Sequence, residues 1–214
     1  EMCIRDSPDT WAKTEGEMKS AEEILQQALR YKRYWGKKGG ITVSGGEALL
    51  QIDFVTELFT LAKEKGVNTC LDTSGNPFTR EEPFYSKFEK LMEVTDLFML
   101  DIKEMDEDEH KQLTGQTNKN ILDMATCLSD HGKAMWIRHV LVPGITDDDG
   151  QLHRLRAFID TLKTVERVEI LPYHTLGVFK WKELGIPYAL EDVEPPTKEQ
   201  VEHAREIIIP GYKS

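Results

Sequence analysis

Five places in the chain gather groups able to bind a ligand or to do chemistry: Gly45-Gly46-Glu47, Asp72-Thr73, Asp101-Ile102-Lys103, Arg138 and His174. Paired glycines let a main chain approach a ligand closely, because no Cβ intervenes. A carboxylate suits an ammonium group or a hard cation. Lys103 has the amine that Schiff-base chemistry needs. Arg138 interrupts the apolar run of Trp136, Ile137, Val140, Leu141 and Val142, and a charge near a sheet interior requires a partner. Each group also has a structural reading. Gly45-Gly46 can be a tight turn with Glu47 near a helix start, Asp72 and Asp101 can be caps, Lys103 can be exposed, and His174 can be an ordinary satisfied histidine. Two carboxylates close together repel unless something positive lies between them, which points to a bound cation or a cationic ligand.

The elements around these groups bring them to one rim. Helical periodicity runs over residues 20–34, 51–65, 82–93, 106–113, 119–131, 148–163 and 198–208, with glycines or prolines at the breaks. Short β-rich runs lie at 41–43, 67–71, 97–100, 134–142 and 168–171. Strands alternating with helices, without hairpin signals, predict an α/β fold with a parallel sheet and right-handed crossovers. In such folds ligands bind outside the carboxyl ends of the strands, where the polar groups above fall. The acid-rich stretch 104–110 reads as the solvated start of a helix. The loop 177–185, with Trp181, follows His174 and could shape an entrance, although Trp181 suits core packing equally well. The residues alone leave an aldolase-like site, a phosphate-binding barrel and a metal-free binding barrel open, although no Gly-rich loop follows Val168.

Composition narrows the class. The chain has 214 residues, 27 Lys and Arg against 38 Asp and Glu, and a net charge of −11, with a pI near 5.1. That length supports one domain burying roughly 70% of its unfolded surface. An acidic chain is a poor partner for nucleic acid, which needs clustered Lys and Arg. No apolar stretch is long enough for a bilayer and no secretory signal opens the chain, so a cytoplasmic location is expected. Cys3, Cys70 and Cys127 show no metal or redox spacing among themselves.

Six segments, in order, carry a family resemblance: Ser44-Gly45-Gly46-Glu47, Leu71-Asp72-Thr73-Ser74-Gly75, Met99-Leu100-Asp101-Ile102-Lys103, Trp136-Ile137-Arg138, Val142-Pro143-Gly144 and Leu171-Pro172-Tyr173-His174. Together they resemble the pyruvate formate-lyase activating enzyme family, the glycyl-radical enzyme activases of the radical S-adenosylmethionine superfamily. The resemblance covers residues 8–214 as one domain and leaves 1–7 as a non-family start. The interval between Asp9-Thr10-Trp11 and Gly45 is too short for the ferredoxin-like insert of some related activators.

The resemblance implies a partial, open (β/α) barrel and a [4Fe–4S] cluster on a C-x3-C-x2-C loop. It further implies reductive cleavage of S-adenosylmethionine, whose 5′-deoxyadenosyl radical takes a hydrogen atom from a glycine of pyruvate formate-lyase, with flavodoxin or ferredoxin as electron donor. Gly45, Gly46 and Glu47 would hold the methionine end of the cosubstrate. Asp101, Ile102, Lys103 and Arg138 would contact the rest of it, with His174 near the nucleoside, and Asp72, Thr73, Met99 and Asp101 would match the family's monovalent-cation site. One departure stands out. Where the family places its third cluster cysteine, before Pro8-Asp9-Thr10-Trp11, this chain reads Arg5-Asp6-Ser7. The cluster ligands, the first strand and the cluster loop are therefore expected to be missing, and the chain as it stands to be inactive. A non-catalytic nucleotide- or partner-binding module, and an activator of anaerobic ribonucleotide reductase, are the alternative readings.

Overall fold

Side-chain caps fix where four of the α-helices begin. Ser20 accepts from Glu23 N while Glu23 answers the Ser20 amide, a reciprocal cap that opens α1 (Ala21–Leu29). Asp106 opens α4 (Glu107–Thr114), Asp148 opens α6 (Asp149–Ile159), and Thr197 with Gln200 opens α8 (Lys198–Ile208). The remaining helices are α2 (Ile52–Glu64), α3 (Phe84–Val94), α5 (Lys119–Asp130) and α7 (Val178–Leu184). The computed structural model describes residues 18–36, 39–176 and 178–212. Cys3 and the segment 1–11, on which the cluster expectations rest, lie outside them.

Five strands form one parallel sheet in chain order: β1 (Gly40–Val43), β2 (Asn68–Thr73), β3 (Leu97–Asp101), β4 (Met135–Leu141) and β5 (Val165–Pro172). All four neighbour pairs are parallel. No pairing joins β5 to β1 among the described residues, so the sheet is open, as the family resemblance implies. Burial alternates along β4: Met135, Ile137, His139 and Leu141 are buried while Trp136, Arg138 and Val140 are half-buried. Successive side chains point to opposite faces of a strand, so one face carries the core and the other carries the polar groups.

The core face packs against helices through Phe59, Phe88, Leu91, Met124, Leu128, Leu155 and Ile159, all at most 1% exposed. Phe78, Phe84, Phe88 and Phe98 make edge-on, stacked and tilted contacts with centroids 4.9 to 6.3 Å apart. On the other face, register sets the neighbours. Asp101 pairs with Arg138, and Arg138 with Glu169, while Asp72 lies beside Met99.

Three expectations need correction. Residues 178–184 form a helix where the sequence reads as a loop, and Trp181 packs against Tyr188 at 5.5 Å. Strand β5 starts at Val165, before the apolar run, because Met135 and Trp136 supply its partners. The acid-rich stretch is only partly a solvated face, since Glu104 and His110 are 3% and 1% exposed. Glu104 is drawn inward because its Oε1 accepts from the amides of Met105 and Asp106 at 2.6 and 3.1 Å. Asn118 Nδ2 then binds the Glu104 and Met105 carbonyls. Asp108 and Glu109 stay exposed, as expected.

Candidate functional site

Glu47 joins the first two strand ends. Its carboxylate accepts from Leu49 N at 2.9 Å, Thr73 Oγ1 at 2.5 Å, Ser74 N at 2.9 Å and Ser74 Oγ at 2.5 Å. Four donors from the chain satisfy it, so the groups left facing a ligand at this turn are those of the main chain. Gly45 takes φ +134°, and a Cβ built there would meet nothing within 4 Å; its backbone borders open space. Gly75 closes the neighbouring turn at φ +73°, where a Cβ would come within 2.8 Å of Leu100 Cδ1.

Arg138 reaches across the next two strands. Its Nη2 lies 2.6 Å from Asp72 Oδ1 and its Nε 2.9 Å from Asp101 Oδ1. The two carboxylates thus have their positive charge from within the chain, and the repulsion that called for a bound cation is answered by a guanidinium. The Thr73 hydroxyl donates to Glu47, and Thr73 borders the same recess as this pair. As arranged, a guanidinium lies between the two carboxylates. Burial pushes the Asp72 carboxyl up, only partly opposed by Arg138 and reinforced by Asp101.

Lys103, for which an exposed position is the structural alternative, is 4% exposed, and its ammonium stands 3.4 Å from Asp101 Oδ2. His139, next to Arg138 but on the core face, stands between the carbonyls of Ile102 and Thr146, 2.9 and 3.0 Å from its two ring nitrogens. It anchors the segment that holds Asp101, Ile102 and Lys103. His174 follows β5 and is exposed.

Two adjoining recesses open at this rim. A recess of about 140 Å³ is bounded by Ser44, Gly45, Asp72, Asp101 and Arg138, and one of about 280 Å³ by Leu50, Asn76, Pro77, His110 and Ile121. Gly46, Ser74 and Lys103 border both. The structure therefore brings Gly45, Gly46, Glu47, Asp72, Thr73, Asp101, Lys103 and Arg138 together along the two recesses and leaves Met99, Ile102 and His174 outside both linings. Ser74, Asn76 and His110 were not singled out from sequence. Ser74 sits inside a quoted motif, and His110 lies one turn before Leu113 among acids, a weak signal of an inward face.

An iron–sulfur cluster does not fit the described residues. Cys70 is half-buried on β2, and Cys127 is buried in α5 with Tyr85 Oη and His131 Nδ1 at 3.8 and 3.7 Å. Among the described residues no group of three or more His, Cys, Asp or Glu could hold a metal ion. No described helix is long and apolar enough to cross a membrane.

Comparison with known proteins bears on the family and the fold. Residues 2–155 match the model of the radical SAM superfamily. The chain is 55% identical over 204 residues to the pyruvate formate-lyase-activating enzyme of Streptococcus mutans serotype c, covering 94% of this chain and 78% of that protein. It is 49% identical over 203 residues to the enzyme of that name from Listeria monocytogenes, covering 94% and 82%. Among solved structures, a domain of pyruvate-formate lyase-activating enzyme from Bacteroides vulgatus superposes with a TM-score of 0.65 at 22% identity, over 81% of this chain and 96% of that one. A radical SAM methyltransferase from Sphaerobacter thermophilus gives 0.66 at 15% identity, over 91% and 56%. These last two likenesses concern the fold.

Proposed function

Because the chain belongs to the radical SAM superfamily, among the pyruvate formate-lyase-activating enzymes, we propose that its strand-end rim binds S-adenosylmethionine for the activation of pyruvate formate-lyase. When bound, this cosubstrate supplies hydrogen-atom abstraction at a glycine of the partner protein, with the electron coming from a flavodoxin or ferredoxin.

The chain's own residues do the binding and orienting. The single observation that carries the reading is the buried Lys103 ammonium, 5% exposed as a side chain and only loosely paired to Asp101, at the wall shared by both recesses. A buried cation with one long partner is suited to an anionic or hydroxyl-rich ligand. The methionine end would lie on the Gly45 and Gly46 main chain, which Glu47 holds in place through Thr73 and Ser74. Asp101, with Ile102 following it, would face the remainder of the ligand beside Arg138. His174 would approach the nucleoside from the exit of β5. Fixing these groups on separate strands pre-organises them, which lowers the cost of ordering a flexible ligand.

Isothermal titration of the chain with S-adenosylmethionine, alongside Lys103→Met and Asp101→Asn, tests the assignment. Saturable heat for the wild type and at least about tenfold weaker binding for each variant is expected, the loss of one charge-assisted contact. Equal affinity in all three, or no heat with any, refutes it.

A further inference from the structure

Both main-chain groups of Ile102 are held from β4. Its amide donates to the Arg138 carbonyl at 2.9 Å, and its carbonyl lies 2.9 Å from Nδ1 of His139, the next residue. Ile102 turns its side chain into the core at 1% exposure, while Asp101 and Lys103 on either side of it meet across 3.4 Å at the rim. The chain just beyond Lys103 is held as well, since Asn118 Nδ2 donates to the Glu104 and Met105 carbonyls at 3.0 and 2.8 Å.

His139 is 3% exposed and has a carbonyl at each ring nitrogen, the second being that of Thr146, 3.0 Å from Nε2. Burial holds the ring's pKa below its ordinary value, so near neutrality one N–H faces two groups that can only accept. The two acceptors differ in what else fixes them. Thr146 sits in a turn with its own bracing: its amide donates to the Val142 carbonyl at 2.9 Å, and its hydroxyl donates to the Val140 carbonyl at 2.7 Å and accepts from the Val142 amide at 2.8 Å. That turn keeps its shape without the ring. Ile102 lies just past the end of β3, where the ladder no longer fixes the backbone and a hydrogen bond has freedom to remove.

We propose that His139 is a positioning residue for the cosubstrate: the hydrogen bond from its Nδ1 to the Ile102 carbonyl, and not the contact of its Nε2 with Thr146, sets where Asp101 and Lys103 stand. The proposal rests on the function proposed above for the identity of the ligand. His139 touches no ligand itself, because it lies on the core face of β4, opposite Arg138. Without the pin at Ile102 the Lys103 ammonium leaves its place beside Asp101, and the rim meets a ligand with one charge displaced.

Two variants divide the ring's contacts. His139→Asn places an amide N–H where Nδ1 stands and reaches no further, whereas His139→Gln extends one to where Nε2 stands. Two readouts are taken on the full chain: calorimetry with S-adenosylmethionine, and the rate at which acetic anhydride acylates Lys103, measured by mass spectrometry against the exposed Lys111. Relative to the wild type, Gln is expected to raise both the Kd and the acylation rate about fivefold, the effect of one hydrogen bond, and Asn to change each less than about twofold. Equal Kd for the two variants, or equal acylation, overturns the proposal. Nitrogen-15 NMR of the wild type needs no variant that folds: a proton is expected on His139 Nδ1, and a ring protonated on Nε2 alone overturns the proposal too. A wild type that gives no heat with S-adenosylmethionine, while acylation still separates Asn from Gln, refutes the cosubstrate site alone. Heat from the wild type with acylation equal in Asn and Gln refutes the positioning role alone.

Discussion

Arg138 and Asp101 sit side by side in the register of β4 and β3, and the guanidinium Nε meets the carboxylate at 2.9 Å while its Nη2 reaches past it to Asp72 at 2.6 Å. One side chain thus answers acids from two other strands. All three are 13% to 20% exposed, so their mutual attraction is little screened by solvent.

Replacing Arg138 with Gln leaves two carboxylates facing each other. A destabilisation of roughly 3 kcal/mol follows from breaking a largely buried pair, read as a fall in Tm of about 8 °C for a chain of this size. The variant, unlike the wild type, gains stability from potassium chloride over tetramethylammonium chloride, because a small cation can take the vacated place. Thermal denaturation in the two salts checks this; an identical Tm in both would contradict the reading of the pair.

Glu47 is a strand-end clamp as much as a ligand neighbour. Glu47→Ala strands the hydroxyls of Thr73 and Ser74 and the amides of Leu49 and Ser74, and should cost roughly 3 kcal/mol. Glu47→Gln keeps one acceptor oxygen and should recover about half. Urea denaturation of the two variants distinguishes this from a role in ligand binding only, for which stability would not change.

Gly75 and Gly66 share a left-handed backbone, at φ +73° and +63°, but differ in their surroundings. A Cβ at Gly75 would lie 2.8 Å from Leu100 Cδ1 and 3.2 Å from Met124 Sδ, whereas one at Gly66 meets open space. Gly66→Ala should cost about 1 kcal/mol in backbone strain, and Gly75→Ala about 3 kcal/mol once overpacking is added. Equal losses in calorimetric melting would show that the contact with Leu100 yields freely.

Stability should fall as the solution is acidified below neutrality. Burial, and then Lys103, hold the His110 pKa below its usual 6.5, so below that pH the unfolded chain takes up a proton that the folded chain refuses. The contribution is complete above pH 6.5 and is lost on going lower, at up to about 1.4 kcal/mol per pH unit. Buried His139 acts in the same direction. Glu104, whose carboxyl burial pushes up, works oppositely and in a more acidic window. Between pH 6.5 and 5.5, His110→Asn should show a shallower slope of unfolding free energy than the wild type; parallel slopes would exclude His110 as a contributor.

The alternation of strands and helices and the parallel sheet were readable because both follow local rules. Apolar runs ending in Gly, Asp or Lys marked the first three strand exits, and parallel connections force the exits to one side. What stayed hidden depended on distant contacts. Nothing near residue 103 signals that Lys103 is buried, and the inward turn of Glu104 requires Asn118 from another helix. The partner of the two aspartates was present in the sequence as Arg138, but only register places it between them.

Sheet order that repeats chain order has a consequence during synthesis. As the polypeptide leaves the ribosome, each new strand can dock on the one just made, with no wait for a later segment to be inserted between them. The exception is electrostatic. Until Arg138 emerges on the fourth strand, Asp72 lacks its counter-charge and Asp101 has only the Lys103 ammonium at 3.4 Å. The same residue that completes the rim would then time its closure.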